Sequence, residues 1–268
     1  MVIVKIEHLD LQQIADSGQC FRWYRLGENK YKICNSRKEV VVEQSGNIFT
    51  FDCTDEEYGG VWYKYLDLET DYTGIDLIGL AYEDKFLTEA IKYGKGIRIL
   101  RQSLWETMLS FVISQNNNIP KIKGSLERII NLNDGVFPTS DDIWVIQDLL
   151  HEAGVGYRAP YIVNCADAYT KWVSDSNSDY SAIKFNSLMS ETSGYSEFMV
   201  LLQSVKGIGE KVANCICLFG LHCMEACPID VWMKRVIVEE YGGSFPEWIK
   251  SPYAGYFQQL CFYYKRNL

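Results

Sequence analysis

The first fifty residues carry their apolar positions in short runs, the pattern that strands make. CFRWYRL, KYKICNS, EVVVEQ and NIFTF are rich in β-branched and aromatic residues, and Gly-Glu-Asn, Ser-Arg-Lys and Ser-Gly turns separate them. That composition predicts antiparallel strands joined by tight connections. From about Tyr82 onward the period changes. Apolar residues recur at three- and four-residue spacing in EDKFLTEAIKYG, SLWETMLSFVISQ and IKGSLERIINL, which marks one buried face of a helix. Asp141 and Asp142 precede IWVIQDLLHEA, which stops at Gly154, so an aspartate N-cap and a C′ glycine bracket a further helix. SDSNSDYS, residues 174–181, reads as a polar connection. The class is α+β: an N-terminal antiparallel β domain over 1–82, then a larger, mostly helical region over 83–268.

Composition narrows the function. A chain of 268 residues that is 47% hydrophobic can bury a real core. No apolar run is long enough to span a bilayer, and MVIVKIEHLDL carries Lys5, Glu7 and Asp10 where a secretion signal would be apolar. A cytoplasmic protein with no membrane partner is expected. Nine cysteines, an odd number, suggest thiols in a reducing compartment. Three scattered histidines give no support to a His-based metal site, and the Cys215, Cys217, Cys223, Cys227 spacing fits neither a zinc ribbon nor an iron–sulfur run.

The formal charge of −9 argues against a nucleic-acid partner until its distribution is counted. Residues 52–84 hold ten acidic residues against Lys64 alone, which leaves 25 charges of each sign elsewhere. Residues 95–130 carry Lys95, Arg98, Arg101, Lys121, Lys123 and Arg128 against Glu106 and Glu127. DNA could meet this basic stretch while the acidic segment faces away; a solvated surface of mixed charge explains the same counts.

The sharpest local signal is VKGIGEKVANCICLF, residues 205–219. Helical patterns flank a Gly-Ile-Gly turn, so the whole segment, about 197–220, reads as two helices joined by a tight hairpin. Gly207 and Gly209 let the backbone turn and approach another surface, and the next helix presents its amide groups and positive end there, an arrangement suited to a DNA phosphate. A helix connection that binds nothing has the same pattern. Lys211, in the first turn, sits where the helix dipole and an apolar neighbourhood both disfavour its charged form, so a Schiff-base nucleophile stands beside the commoner reading of a surface lysine. Cys215 lies one turn on, as a pocket wall or a small buried hydrophobe. Asp230 precedes VWMKRVI and is placed as an N-cap; a carboxylate held there could also stabilise positive charge on a sugar.

Taken together, a Gly-x-Gly hairpin, a lysine opening its second helix and Pro-Ile-Asp some twenty residues on resemble the helix-hairpin-helix DNA glycosylase superfamily, and within it the 8-oxoguanine DNA glycosylases. GQCFRW (18–23), SQNNNIPKIKGSLERI (114–129), GVGYRAPYI (154–162), KGIGEKVANCICL (206–218), PIDV (228–231) and YAGYFQQLCF (253–262) carry the resemblance over most of the chain.

That resemblance implies a bifunctional DNA glycosylase and abasic-site lyase that flips 8-oxoguanine out of double-stranded DNA. Lys211 would attack C1′ and leave a Schiff base open to β-elimination, with Asp230 in support. Cys215 and Phe262 would hold the base, Gln258 would read its Watson–Crick edge, and the carbonyl of Gly18 would accept the N7–H that guanine lacks. Asn116 would fill the gap in the duplex, with Tyr157 as the wedge and Arg158 on the orphaned cytosine. Lys121 stands where eukaryotic members use arginine, Trp232 where they carry histidine and Lys265 where they carry aspartate. No cofactor is implied beyond a structural monovalent cation on the carbonyls of Gln203, Val205 and Ile208, and the protein is expected to be a monomer, associated with the nucleoid in a prokaryote. Two alternatives are a non-catalytic hairpin module that binds DNA and a glycosylase for another damaged base; the missing four-cysteine run after Asp230 speaks against an iron–sulfur enzyme.

Overall fold

The computed structural model describes residues 1–173 and 194–268, so the connection read at 174–181 lies outside the described residues. Five strands, β1 (Val2–Lys5), β2 (Trp23–Gly27), β3 (Lys30–Asn35), β4 (Lys38–Ser45) and β5 (Ile48–Phe51), form one antiparallel sheet in the order β1-β5-β4-β3-β2. The four expected strands are present. β1 is an addition, pairing Val2 with Phe51 through Lys5 with Ile48. Between β1 and β2, α1 (Leu11–Asp16) starts at an Asp10 cap that accepts from the Gln13 amide. Alternate residues of the strands, among them Tyr31, Ile33, Val40, Val42, Phe49 and Phe51, pack on Leu11, Ile14, Trp62 and Leu66 in one apolar core.

Helices begin earlier than residue 82. A short helical stretch over 55–65 includes a π turn at Tyr58–Trp62, and α2 (Tyr72–Leu80) precedes α3 (Lys85–Tyr93). Then follow α4 (Leu104–Ser114), α5 (Ile119–Leu132), α6 (Ser140–Ile146), α7 (Ala159–Val173), α8 (Tyr195–Gln203), α9 (Glu210–Gly220), α10 (Val231–Tyr241) and α11 (Ala254–Asn267). Thr139, not an aspartate, caps α6. Its hydroxyl accepts from the Asp142 amide while Asp142 accepts from the Thr139 amide, a reciprocal pair that starts the helix at Ser140, ahead of the expected Ile143. Gly154 closes the following 3₁₀ turns at φ 69°, as the C′ reading requires.

The chain forms two compact units, Met1–Gln102 together with Leu221–Leu268, and Ser103–Gly220. The change from strand to helix, after β5 ends at Phe51, is thus a different division from the boundary between units. In the first unit Arg98 is a structural hub. It is buried, its guanidinium donates to the carbonyls of Glu7, His8, Asp67 and Thr70, and it lies 4.7 Å over the Tyr72 ring. Arg98 therefore does not belong to a DNA-facing patch. Asp67 is buried beside it; burial alone would raise its carboxyl, but hydrogen bonds from His222, Arg101 and Tyr72 outweigh this and hold it well below the usual range. In the second unit Arg128 is likewise spent on structure, donating to the Ala153 carbonyl at 2.9 Å.

Candidate active site

The hairpin lies within the second unit. α8 ends at Gln203, Val205 and Ile208 close a tight turn through the Ile208 amide and the Val205 carbonyl (3.0 Å), and α9 starts at Glu210. The two glycines have different reasons. Gly207 has φ +108°, and a Cβ on it would stand 2.4 Å from Cγ of Tyr161, so only glycine fits. Gly209 has no positive φ, and nothing lies within 4 Å of the position a Cβ would take. Its need for glycine does not come from this unit; the open space leaves its backbone approachable.

Polar side chains from the α4–α5 connection and from α7 meet this turn. The Gln115 amide donates to the Gly207 carbonyl (3.0 Å) and Asn164 to the Lys206 carbonyl (3.1 Å). Asn116, left-handed at φ 48°, donates to the Tyr157 hydroxyl at 3.1 Å. Tyr157 is 53% exposed and meets Tyr161 edge-on at 6.1 Å, so the expected gap-filler and wedge form one exposed pair braced on the residue that packs under Gly207. Arg158 is buried. Its guanidinium donates to the carbonyls of Gln115, Asn116 and Val155 and lies 4.5 Å over the Tyr157 ring. Arg158 thereby fixes the Asn116 turn. Lys121 is exposed in the first turn of α5, where the Asn118 cap holds its amide. Gln115 and Tyr161 belong to the SQNNNIPKIKGSLERI and GVGYRAPYI runs, whereas Asn164 lies outside every motif that the sequence offers.

Lys211 is the second residue of α9. It is half-buried, with its ammonium 5.5 Å over the face of Phe111, which stacks on Phe219 at 5.4 Å. An aromatic face attracts a cation, so the apolar neighbourhood expected around Lys211 includes one surface that welcomes its charge. Cys215, 3% exposed, lies one turn further in.

The remaining predicted residues belong to the first unit. Asp230 caps α10, accepting from the Met233 amide at 2.9 Å, as the capping reading expected. Gly18 has φ +79°, and the chain on either side of it is pinned. The Ser17 carbonyl accepts from Gln259 (2.6 Å), the Gln19 carbonyl from Gln102 (2.7 Å), and the Gln19 side chain bridges Arg98 and Leu100. A carbonyl so held is a rigid probe. Gln258 is 3% exposed, and its Oε1 accepts no hydrogen bond among the described residues. Phe262, one turn on, is half-buried with an edge facing Gly18. Lys265 bridges Glu239 and Glu240 at the far end of α11. Trp232 stacks with Arg235, 4.9 Å from the guanidinium to the ring centroid.

Among the described residues no group of His, Cys, Asp and Glu could hold a metal, and the nine cysteines form no disulfide. The Gln203, Val205 and Ile208 carbonyls are neutral donors at the negative end of α8, a set that suits a weakly held monovalent cation and not a divalent one. No helix among the described residues is long and apolar enough to cross a membrane.

Residues 1–108 match the family model described as 8-oxoguanine DNA glycosylase, N-terminal domain. The structure of MBOgg1 in complex with a low-affinity DNA ligand is 31% identical, covers 99% of this chain and 95% of that one, and superposes with a TM-score of 0.85. The Clostridium acetobutylicum 8-oxoguanine glycosylase/lyase, in complex with double-stranded DNA containing cytosine opposite 8-oxoguanine, is 28% identical with a TM-score of 0.84 and covers 100% of this chain and 98% of that one. The N-glycosylase/DNA lyase of Saccharomyces cerevisiae is 29% identical over 261 residues, 87% of this chain and 68% of the yeast protein. At 31% identity to MBOgg1 over 99% of its length, and with residues 1–108 matching the family's N-terminal domain, the chain belongs to the 8-oxoguanine DNA glycosylase family.

Proposed function

We propose that the protein is a bifunctional N-glycosylase/DNA lyase that removes 8-oxoguanine from double-stranded DNA and then cuts the strand. The observation that carries this reading is Lys211 in the first turn of the helix leaving the Gly207 hairpin, in a chain 31% identical to MBOgg1 over 99% of its length.

The hairpin's amide groups and the helix N-terminus hold a DNA phosphate. Asn116 and Tyr157 occupy the space that the extruded nucleotide leaves, Lys121, exposed in the first turn of α5, meets the orphaned cytosine, and Arg158 holds the Asn116 turn in place. Phe262 and Cys215 are stacking partners for the flipped base. Gln258 Oε1, an acceptor already buried without a partner, takes an N–H of its Watson–Crick edge. The Gly18 carbonyl takes N7–H. Guanine would present a lone pair to that carbonyl instead, an unpaired buried group that costs on the order of 1–3 kcal/mol.

Nζ of Lys211, as the amine, attacks C1′. The glycosidic bond breaks with its electron pair leaving on the base, and Asp230 stabilises the positive charge on the sugar as this happens. Ring opening leaves a Schiff base between Lys211 and C1′. Loss of a C2′ proton then expels the 3′ phosphate by β-elimination. A monovalent cation on Gln203, Val205 and Ile208 would add positive charge beside the hairpin. The protein acts as a monomer in the cytoplasm, at the nucleoid in a prokaryote.

The test is a single-turnover assay on a duplex with one 8-oxoguanine opposite cytosine, scoring free base and nicked strand for the wild type and for Lys211→Gln. Release by the wild type alone supports the reading. Tight DNA binding with no release from any lesion duplex would leave a non-catalytic hairpin module, and release of a different base would keep the chemistry but overturn the Gly18 role.

A further inference from the structure

Gln258, Phe262 and Arg266 stand four residues apart on α11 and share one stripe of its surface. Helical side chains lean back toward the N-terminus. Arg266 accordingly reaches back over Phe262, its Cζ 5.7 Å from the ring centroid. The two ends of the stripe have opposite hydrogen-bonding character. Gln258 Oε1 is an acceptor and Arg266 Nη1 a donor; both are buried, and neither has a partner among the described residues. Such orphans are rare, because each gives up its water without compensation. Gly18 lies at the Arg266 end: a Cβ built there would stand 3.3 Å from the edge of Phe262 and 3.5 Å from Nη1 of Arg266.

We propose that Arg266 is a specificity-determining residue that donates a hydrogen bond to the C8 carbonyl oxygen of the flipped 8-oxoguanine. This rests on the reading of Gly18 and Gln258 given above. In a purine, the Watson–Crick edge and C8 lie at opposite ends of the long axis, as the orphaned acceptor and the orphaned donor lie at opposite ends of the stripe. With the Watson–Crick N–H groups at Gln258 and N7–H at the Gly18 carbonyl, the oxygen on the neighbouring ring atom is directed to the side of Gly18 from which Arg266 approaches. The two contacts then test different things. Gly18 asks for a donor at N7, Arg266 for an acceptor at C8, and guanine has neither. A guanidinium would also serve a DNA phosphate, but a phosphate contact belongs at the wet surface, and the burial of Nη1 against an aromatic ring favours the base.

The experiment compares wild type, Arg266→Leu and Arg266→Lys on two substrates in the same duplex, 8-oxoguanine opposite cytosine and a preformed abasic site, with a thermal melt of each protein. Losing a charge-assisted hydrogen bond to the base lowers excision by Arg266→Leu on the order of 10- to 100-fold. Cleavage at the preformed abasic site, where no base is present to accept that hydrogen bond, stays within about twofold. Arg266→Lys recovers part of the excision, because its ammonium donates without the planar fork. Equal loss on both substrates would overturn the proposal and assign Arg266 to the DNA backbone or to packing, and no loss on either would overturn it too. Should Arg266→Leu melt early, the ratio of excision to abasic-site cleavage in Arg266→Met, which keeps a flexible stem and has no donor, decides: a fall supports the proposal and an unchanged ratio ends it. A wild type that ignores 8-oxoguanine yet excises another base would instead refute the functional reading.

Discussion

Gly207→Ala strikes the hairpin at its tightest point. The backbone there has φ +108°, a conformation that costs an L-residue roughly 1–2 kcal/mol. The new methyl would meet Cγ of Tyr161 at 2.4 Å and its Cβ at 2.5 Å, below any real contact. Relief requires moving α7 or the turn, and overpacking of that kind costs roughly 1–3 kcal/mol. The loss of stability should therefore lie at roughly 2–5 kcal/mol, a fall in melting midpoint of about 5–15 °C for a chain of this size. Tyr161→Ala should not rescue it, because the clash includes the Cβ that alanine keeps. The functional effect should be larger than the stability alone implies, since Tyr161 also backs the Tyr157 wedge and the Gly207 carbonyl anchors Gln115. The assay pairs thermal unfolding with binding to a duplex carrying a stable abasic-site analogue. Gly209→Ala, with open space around it, is the control: it should cost under about 1 kcal/mol, while its added methyl weakens DNA binding if the backbone there meets a phosphate. A Gly207→Ala protein that melts with the wild type would refute this account of the hairpin.

Further outcomes follow from the same geometry. Asp230→Asn keeps an acceptor for the Met233 amide, so stability should hold within about 0.5 kcal/mol while excision falls on the order of 10²-fold or more; Asp230→Ala should lose the cap as well, about 1 kcal/mol, and a chemical melt separates the two. Asp76 is raised by burial to about 6 despite the Tyr256 hydroxyl at 3.0 Å. The folded state thus keeps a proton that the unfolded chain gives up near 3.8, so Asp76 lowers stability as pH climbs from about 4 to about 6. Asp76→Asn should accordingly stabilise the protein at pH 7.5, by at most about 3 kcal/mol, and change little at pH 4. The neighbouring His8, lowered by burial to about 4, runs the other way, destabilising as pH falls from about 6.5 toward 4. The separate slopes are read from the pH dependence of unfolding in Asp76→Asn and in His8→Gln. Lys121→Arg supplies a planar fork on an exposed position and should sharpen the preference for cytosine opposite the lesion roughly tenfold, measured as a ratio of excision rates over the four opposite bases.

The strands were legible because their β-branched and aromatic runs end at turn residues, and the long helices because their apolar spacing persists. β1 escaped because VIVK is four residues long and runs straight into charged positions, and its pairing with β5 is a long-range contact that no local pattern records. The cap of α6 is Thr139 and neither Asp141 nor Asp142, because Thr139 and Asp142 share the duty, and a reciprocal pair gives two plausible starts. Charge counting misread the basic stretch: Arg98 and Arg128 are counted as cations by sequence but are consumed by backbone carbonyls in the fold. In the acidic segment, too, Asp67 and Asp76 are buried with polar partners, so two of its ten carboxylates belong to no solvated face. Lys211 and Asp230 could be found because their motifs sit on local helix starts. Arg266 could not be singled out by its motif, though its four-residue spacing from Phe262 was there to be read; what distinguishes it is a buried donor without a partner, which only coordinates reveal.

Borohydride trapping tests the central claim most directly. Wild type and Lys211→Gln are incubated with a labelled duplex carrying one 8-oxoguanine opposite cytosine, and the Schiff base is reduced as it forms. A covalent protein–DNA band in the wild type that is missing from the variant is the expected result. A band of equal strength in Lys211→Gln would move the nucleophile elsewhere in the chain, and no band in either, with DNA bound and base released, would contradict lysine catalysis altogether.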